Sequence, residues 1–340
     1  MSLTVCLAPA NTMAYPNGGG HLWVYLQWAL ALRALGCPVI WLEVLDPGKP
    51  LEATKANVAA LRDRLDRYGL AESLALCSPN GAPPPQDLAA RVLDLEAAAQ
   101  ADLLINLSHL LSAAVVRRFR RAALVDTDPG LLQIWMTRGD VRLAPHDIYF
   151  TIGETVGTPA ARFPHCGLRW HYTPPPVFLP EWPPAPADST APYTTVTHWW
   201  GSRFEFQGRT INEEKHVSFL DYKELPSRTS AGLELAVCLG EHDEQCRRLM
   251  EPAGWRLREA WDVSSTPEAY RAYIQRSRGE FSCAKPAYVT LQARALAAAE
   301  ADYERHCRLA RALAEEHFDA RRVVGRVLER ALERGARSAA

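Results

Sequence analysis

Leu3-Thr4-Val5-Cys6-Leu7-Ala8-Pro9-Ala10-Asn11-Thr12-Met13-Ala14-Tyr15-Pro16-Asn17-Gly18-Gly19-Gly20-His21-Leu22 joins a short apolar run to three successive glycines and then to an apolar helical pattern over 22–35. Residues 3–7 read as a strand. Glycine at 18, 19 and 20 lets the backbone approach a ligand, and free N–H groups at a helix start, with the helix dipole behind them, favour an anion. His21 is the one titratable side chain placed at that helix start, so the loop can supply both binding and proton transfer. The alternative is a tight strand-to-helix turn that binds nothing. A dinucleotide fingerprint fits less well, because Trp23 stands where a third small residue belongs, although Glu43 falls near the distance expected of a ribose carboxylate.

Outward from this loop the pattern repeats. Strand-like runs at 38–43, 73–77, 102–107, 122–126 and 147–152 alternate with helical patterns at 51–68, 86–99 and 110–121. Six strands in strict alternation with helices predict a parallel, doubly wound α/β sheet over 1–158. Such sheets bind ligands beyond the carboxyl ends of their strands. That rule puts Gly18 to His21, Ser108-His109, Asp126 to Gly130 and Gly153-Glu154 on one rim.

Ten of the 25 prolines lie between Pro159 and Pro192, too many for a helix or a central strand, so 159–192 reads as an extended linker. Strand signals resume at 193–199, followed by a loop at 201–208 and further strands at 233–239, 255–258 and 280–284. Helices are expected at 243–250 and 267–276. From 293 to 316 the chain is almost wholly good helix formers, and a last helix follows over 321–334 with Val324, Val327 and Leu328 on one face. The expectation is therefore two Rossmann-like domains, 1–158 and 193–316, with 317–340 crossing back as a terminal helix.

Composition narrows the function classes. Apolar residues make up 48% of 340, which suits globular domains with sizeable cores. Lys plus Arg (38) almost cancels Asp plus Glu (39), so no broad basic field is available and a nucleic-acid partner is not expected. Eight cysteines without a C-x-x-C pair argue against a zinc ribbon or a disulfide framework. The histidines lack metal-ligand spacing, so no metal is expected. No apolar run approaches the ~20 residues of a membrane span, and no signal-like segment opens the chain, so a cytoplasmic location is the default.

Gly18-Gly19-Gly20-His21, His146-Asp147-Ile148-Tyr149-Phe150-Thr151-Ile152-Gly153-Glu154, Leu233-Glu234-Leu235-Ala236, Gly279-Glu280-Phe281-Ser282-Cys283-Ala284-Lys285 and Ala301-Asp302-Tyr303-Glu304-Arg305-His306 resemble segments of a poorly characterised bacterial group of GT-B glycosyltransferases. The resemblance implies transfer of a sugar from a nucleotide-sugar, held as substrate with no tightly bound cofactor, to a hydroxyl acceptor. His21 resembles the histidine that removes the acceptor's proton in inverting members, a role that a pKa near working pH suits. Asp126 or Asp128 on the same rim would orient it. His109 and Glu154 are further binding candidates. From the second half Gly201, Lys215 and Lys285 would meet the donor phosphates. After Val289 the chain lacks the Gly-Arg-Pro-Val-Val-like strand that such proteins carry, so the second domain reads as shortened. That departure motivates a non-catalytic binding protein of the same architecture as one alternative; the glycines with Glu43 motivate an NAD-dependent oxidoreductase as the other. Trp199, Trp200, Phe204 and Phe206 read as interdomain packing, and the E-x7-E spacing of Glu205 and Glu213 as accidental.

Overall fold

The computed structural model describes residues 3–89, 92–159, 161, 163–199, 203–206, 208–212, 214–238, 240, 243–281 and 303–333. Contacts divide the chain into two compact units, one of residues 1–16, 21–181 and 314–340, the other of residues 17–20 and 182–313.

The first unit is built on seven strands: β1 Val5–Ala8, β2 Val39–Val44, β3 Leu74–Cys77, β4 Leu103–Asn106, β5 Ala122–Asp126, β6 Ile148–Thr151 and β7 Trp170–Tyr172. Their order is β3-β2-β1-β4-β5-β6-β7, with every pairing parallel. All residues of β1, β3, β4, β5 and β6 are buried, as in a sheet covered on both faces. The helix Gly19–Ala34 buries Leu22, Trp23, Tyr25, Leu26, Trp28 and Ala29, nearly its whole circumference, as its apolar sequence requires. The strand order reverses between β1 and β4. That topological switch point is where His21 and Ser108-His109 follow their strands.

Local chemistry explains where the elements depart from the sequence expectation. The helical pattern at 86–99 divides into Gln86–Ala89 and Leu95–Ala98, because Asp94 adopts extended backbone and caps the second piece, its Oδ1 accepting the Ala97 N–H at 2.8 Å. At 110–121 only Ala113–Val116 is helical, started by the Ser112 cap. A helix that the periodicity did not reveal, Leu131–Arg138, is closed by Gly139 at φ 84°. Within the proline-rich 159–192, Trp170–Tyr172 pairs with β6 at the sheet edge, the one place where flanking prolines cost no ladder bond.

At the far end of the chain, the helix Ala320–Leu332 belongs to the first unit. Asp319 caps it through Oδ1 to the Arg321 N–H at 2.9 Å, and Val177 bridges to Asp319 with backbone bonds on either side. Val323, Val324, Val327, Leu328 and Ala331 form its buried face. Each buried Val or Leu there contributes on the order of 1.5–3 kcal/mol relative to exposure.

The second unit holds β8 Tyr193–His198, β9 Arg203–Phe206, β10 Arg209–Asn212, β11 Leu233–Cys238, β12 Arg256–Glu259 and β13 Gly279–Glu280. Four of these form a parallel sheet in the order β12-β11-β8-β13, while β9 and β10 pair antiparallel where the sequence suggested a loop. Trp199 stacks on Phe219 at 5.6 Å, inside a core with Tyr193, Leu235, Met250 and Trp255. It is thus core of its own unit. Within this unit a Cβ on Gly19 would lie 2.1 Å from the Thr266 carbonyl oxygen, and one on Gly20 would lie 2.8 Å from the Tyr270 ring. Glycine is needed at both because protein, rather than a ligand, closes on them. Trp200, Gly201, Glu213 and the stretch 282–302, with Lys285, lie outside the described residues.

Candidate active site

His21 is the third residue of the helix Gly19–Ala34, and its Nε2 lies 2.8 Å from the Ala10 carbonyl oxygen just beyond β1. A carbonyl can only accept, so Nε2 carries the proton and Nδ1 keeps a lone pair in the neutral ring. Tyr15 and Tyr25 flank the imidazole edge-on, with ring centroids 5.0 and 5.2 Å away. Burial holds the His21 pKa below the ordinary histidine value, and the Ala10 bond offsets part of that. Burial thus favours the neutral form of the ring. Tyr25, one turn further along the helix, also reaches the Ala10 oxygen; its hydroxyl is raised by burial and, more weakly, by Glu43, Asp128 and Tyr15.

Asp126, at the end of β5, is 3% exposed and has its own partners. Its Oδ2 accepts from Gln133 Nε2 at 2.8 Å and from Thr151 Oγ1 at 3.0 Å, and its Oδ1 accepts the Asp128 N–H at 2.9 Å. Gln133 in turn accepts the Gly130 N–H at 2.6 Å. Burial raises the Asp126 carboxyl against these bonds. The carboxylate thus braces the loop 126–130 and the start of the helix Leu131–Arg138. The expectation that Asp126 or Asp128 orients His21 is corrected here: among the described residues, the hydrogen-bond partner of that ring is the Ala10 carbonyl. Asp128 acts instead on Tyr25 and on His109.

His109 follows β4 and lies 5.6 Å, centroid to centroid, from the Trp135 ring. Burial lowers its pKa, while Asp128 and Asp126 push it back up. Electrostatic and ring contacts thus link His21, Tyr25, Asp128 and His109 along one rim of the first unit's sheet. Tyr15 and Tyr25 went unnoticed in the sequence. The signal for Tyr25 was present, since four residues from His21 places it on the same helix face.

Glu43 does not offer itself to a ribose. It is 2% exposed, and its carboxylate accepts from the Thr12 hydroxyl, from Trp41 Nε1 at 3.1 Å and from the Met13 N–H at 3.4 Å. Burial pushes its pKa up to about 7 in spite of these donors. Glu43, Asn11, Met13, Ser108 and Leu110 line a cavity of about 330 Å³ beyond β1, β2 and β4. Glu154 lies on a second cavity, beyond β6 and β7. In the other unit, Lys215 begins the helix Lys215–Asp221 and interacts with Glu280, whose pKa burial raises. No metal-ligating group of His, Cys, Asp or Glu occurs among the described residues, and no helix among them is long and apolar enough to cross a membrane.

Two units on parallel sheets, with a C-terminal helix returning to the first unit's residues, define the GT-B glycosyltransferase fold. Three solved structures of α-glucosyltransferase share it over 98% of this chain and 100% of theirs. One is in complex with UDP and DNA containing an HMU base (TM-score 0.54, 10% identity). Another holds UDP and DNA with an A:G mismatch (0.51, 9%), and a third holds UDP-glucose and DNA with an abasic site (0.50, 10%). At such identities the likeness is one of fold. No protein-family model matches the chain, and no curated protein sequence matches it.

Proposed function

We propose that this chain transfers a sugar from a uridine-diphosphate-type donor to the hydroxyl of a small acceptor, with His21 as general base. The observation that carries the reading is the His21 ring itself: pinned through Nε2 to a carbonyl, held neutral by burial, with Nδ1 left to take a proton, at the switch point of a GT-B sheet. The acceptor O–H would give its proton to Nδ1 as the oxygen bonds to the anomeric carbon. The nucleoside diphosphate would leave with the electrons of the broken C–O bond, and a single displacement of this kind inverts the anomeric centre.

Asp126 holds the rim loop in shape in this reading, and Asp128 and His109 contact the acceptor. Gly18 to Gly20 shape the helix start. Gly201, Lys215 and Lys285 supply contacts to the donor phosphates from the second domain, which we read as shortened. UDP and UDP-glucose in the similar structures support the donor class. The DNA belongs to those proteins; here 38 basic residues set against 39 acidic ones favour a small acceptor.

The test couples binding to turnover. A UDP-sugar at 100 times its dissociation constant would raise stability by about 2.7 kcal/mol in a thermal-shift assay. With such a donor bound, the His21→Ala variant should lose UDP release by 10²-fold or more. Normal turnover by that variant sinks the assignment. Absence of any stabilisation by UDP-, GDP- or TDP-sugars sinks the donor class.

A further inference from the structure

We propose that the second cavity of the first unit binds a hydroxyl-bearing phosphate ester, in chemical class a sugar phosphate. This inference does not rest on the transfer reading. The cavity, about 480 Å³, lies where β6 and β7 end: Glu154 comes three residues after β6, and Thr173 directly follows β7. The carboxyl end of a parallel sheet is where such folds take ligands, and the volume suits a small molecule. The helix Ala320–Leu332 forms another wall, with Arg326 and Arg330 lining the space.

Those two arginines are the first argument. Four residues apart on one helix, they share a face. Among the described residues neither has a hydrogen bond or an ion pair, whereas Arg321 at the start of the same helix is paired with Asp319 at 3.3 Å. Two like charges one turn apart repel, and an oxyanion between them removes the repulsion while offering each planar fork two acceptor oxygens. A phosphate monoester carries up to two negative charges and three free oxygens. It matches the pair better than a single carboxylate does.

The remaining lining rules out phosphate alone as the full ligand. Glu154 is exposed and has no hydrogen-bond partner among the described residues, and it would repel an unadorned dianion. A carboxylate in that place is an acceptor waiting for donors, and sugar hydroxyls are such donors. Glu316, the other acidic residue there, lies 3.8 Å from His317 Nε2, beyond hydrogen-bond reach, and offers a second acceptor to hydroxyls. The half-exposed Tyr172 adds flat apolar surface of the kind on which the C–H face of a sugar ring rests, while Phe150, also lining the cavity, is almost fully buried. Guanidinium pair, free carboxylate and aromatic wall together specify an anion joined to a polyol.

Calorimetry on the full chain tests this with glucose 6-phosphate as the probe, and with inorganic phosphate and glucose as controls. Glucose 6-phosphate should bind more tightly than inorganic phosphate, and glucose should give no heat. Replacing both arginines, R326Q with R330Q, should weaken the ester by at least about tenfold with the melting temperature unchanged. Each single variant repeats the measurement should the double variant fail to fold. Glu154→Gln should weaken glucose 6-phosphate and leave inorganic phosphate as it was. The proposal is overturned if glucose 6-phosphate gives no heat, if the arginine variants bind it as the wild type does, or if inorganic phosphate binds as tightly as the ester.

Discussion

Replacing Glu43 by Gln tests a buried carboxyl of the first unit. The Glu43 carboxyl, on β2, meets the Met13 turn and is 2% exposed, and burial lifts its pKa from 4.5 to about 7. The folded state therefore binds the proton more tightly than the unfolded state does. Stability from this group is fully present below about pH 4.5 and is lost as pH rises through 7. The rise of about 2.5 pH units, at about 1.4 kcal/mol each, gives a swing of about 3 kcal/mol. Glutamine keeps an oxygen for Thr12 and Trp41 and never ionises; its amide nitrogen loses the Met13 N–H bond, a cost that does not depend on pH, so the pH swing alone is removed. Urea unfolding of wild type and Glu43→Gln at pH 4.5 and pH 8 should show the gap between them moving by about 3 kcal/mol in the variant's favour at the higher pH. Other titrating groups cancel in that difference. A gap that stays constant between the two pH values would show that Glu43 ionises as an ordinary carboxyl, and the burial argument would fail.

His21 makes a prediction of the opposite kind: kcat/KM should rise with pH through an inflection below the ordinary histidine value near 6.5 and then stay level, because burial favours the neutral ring. An inflection above 6.5 would mean that a carboxylate, not the Ala10 carbonyl, supports the imidazole. Gly19→Ala should destabilise the second unit by about 1–3 kcal/mol, since the added Cβ meets the Thr266 carbonyl oxygen at 2.1 Å and backbone must shift; an unchanged melting temperature would refute the contact. Asp319→Ala removes the cap of the last helix and should cost about 1 kcal/mol, seen as faster proteolysis of the C-terminal segment. Equal cleavage rates would show that the cap is immaterial.

The first six strands of the first sheet were legible because each is a short, largely apolar run between polar turns, and β5 at 122–126 matches its sequence span residue for residue. What escaped notice depended on tertiary context. Trp170–Tyr172 has no strand pattern of its own and becomes a strand only because β6 offers a free edge. The hairpin of β9 and β10 hid in a segment whose charged and aromatic residues masked any alternation. At the site, the placement of His21 and His109 beyond adjacent strands followed from topology. The partner of His21 did not, because a backbone carbonyl has no identity in a sequence. Asp126 looked like the orienter for the same reason, its own partners Gln133 and Thr151 being seven and 25 residues away.

That partner sets the strength of His21 in its proposed role as base. A carboxylate would fix the tautomer and also stabilise the imidazolium, raising the pKa and making a stronger base that is partly protonated at neutral pH. The Ala10 carbonyl fixes the tautomer equally well, but a dipole stabilises the imidazolium less than a full charge does, so burial wins and the pKa stays low. Such a ring favours its neutral form yet pulls less hard on the proton. Weak pull suffices where the acceptor hydroxyl is itself acidic or where bond breaking to the leaving diphosphate runs ahead of nucleophilic attack. Under the proposed assignment, an Ala10 carbonyl in place of an aspartate would favour phenol-like acceptors over simple alcohols. A series of acceptors of graded hydroxyl acidity should show rates rising steeply with acidity, and a flat series would mean that the proton leaves by some route other than His21.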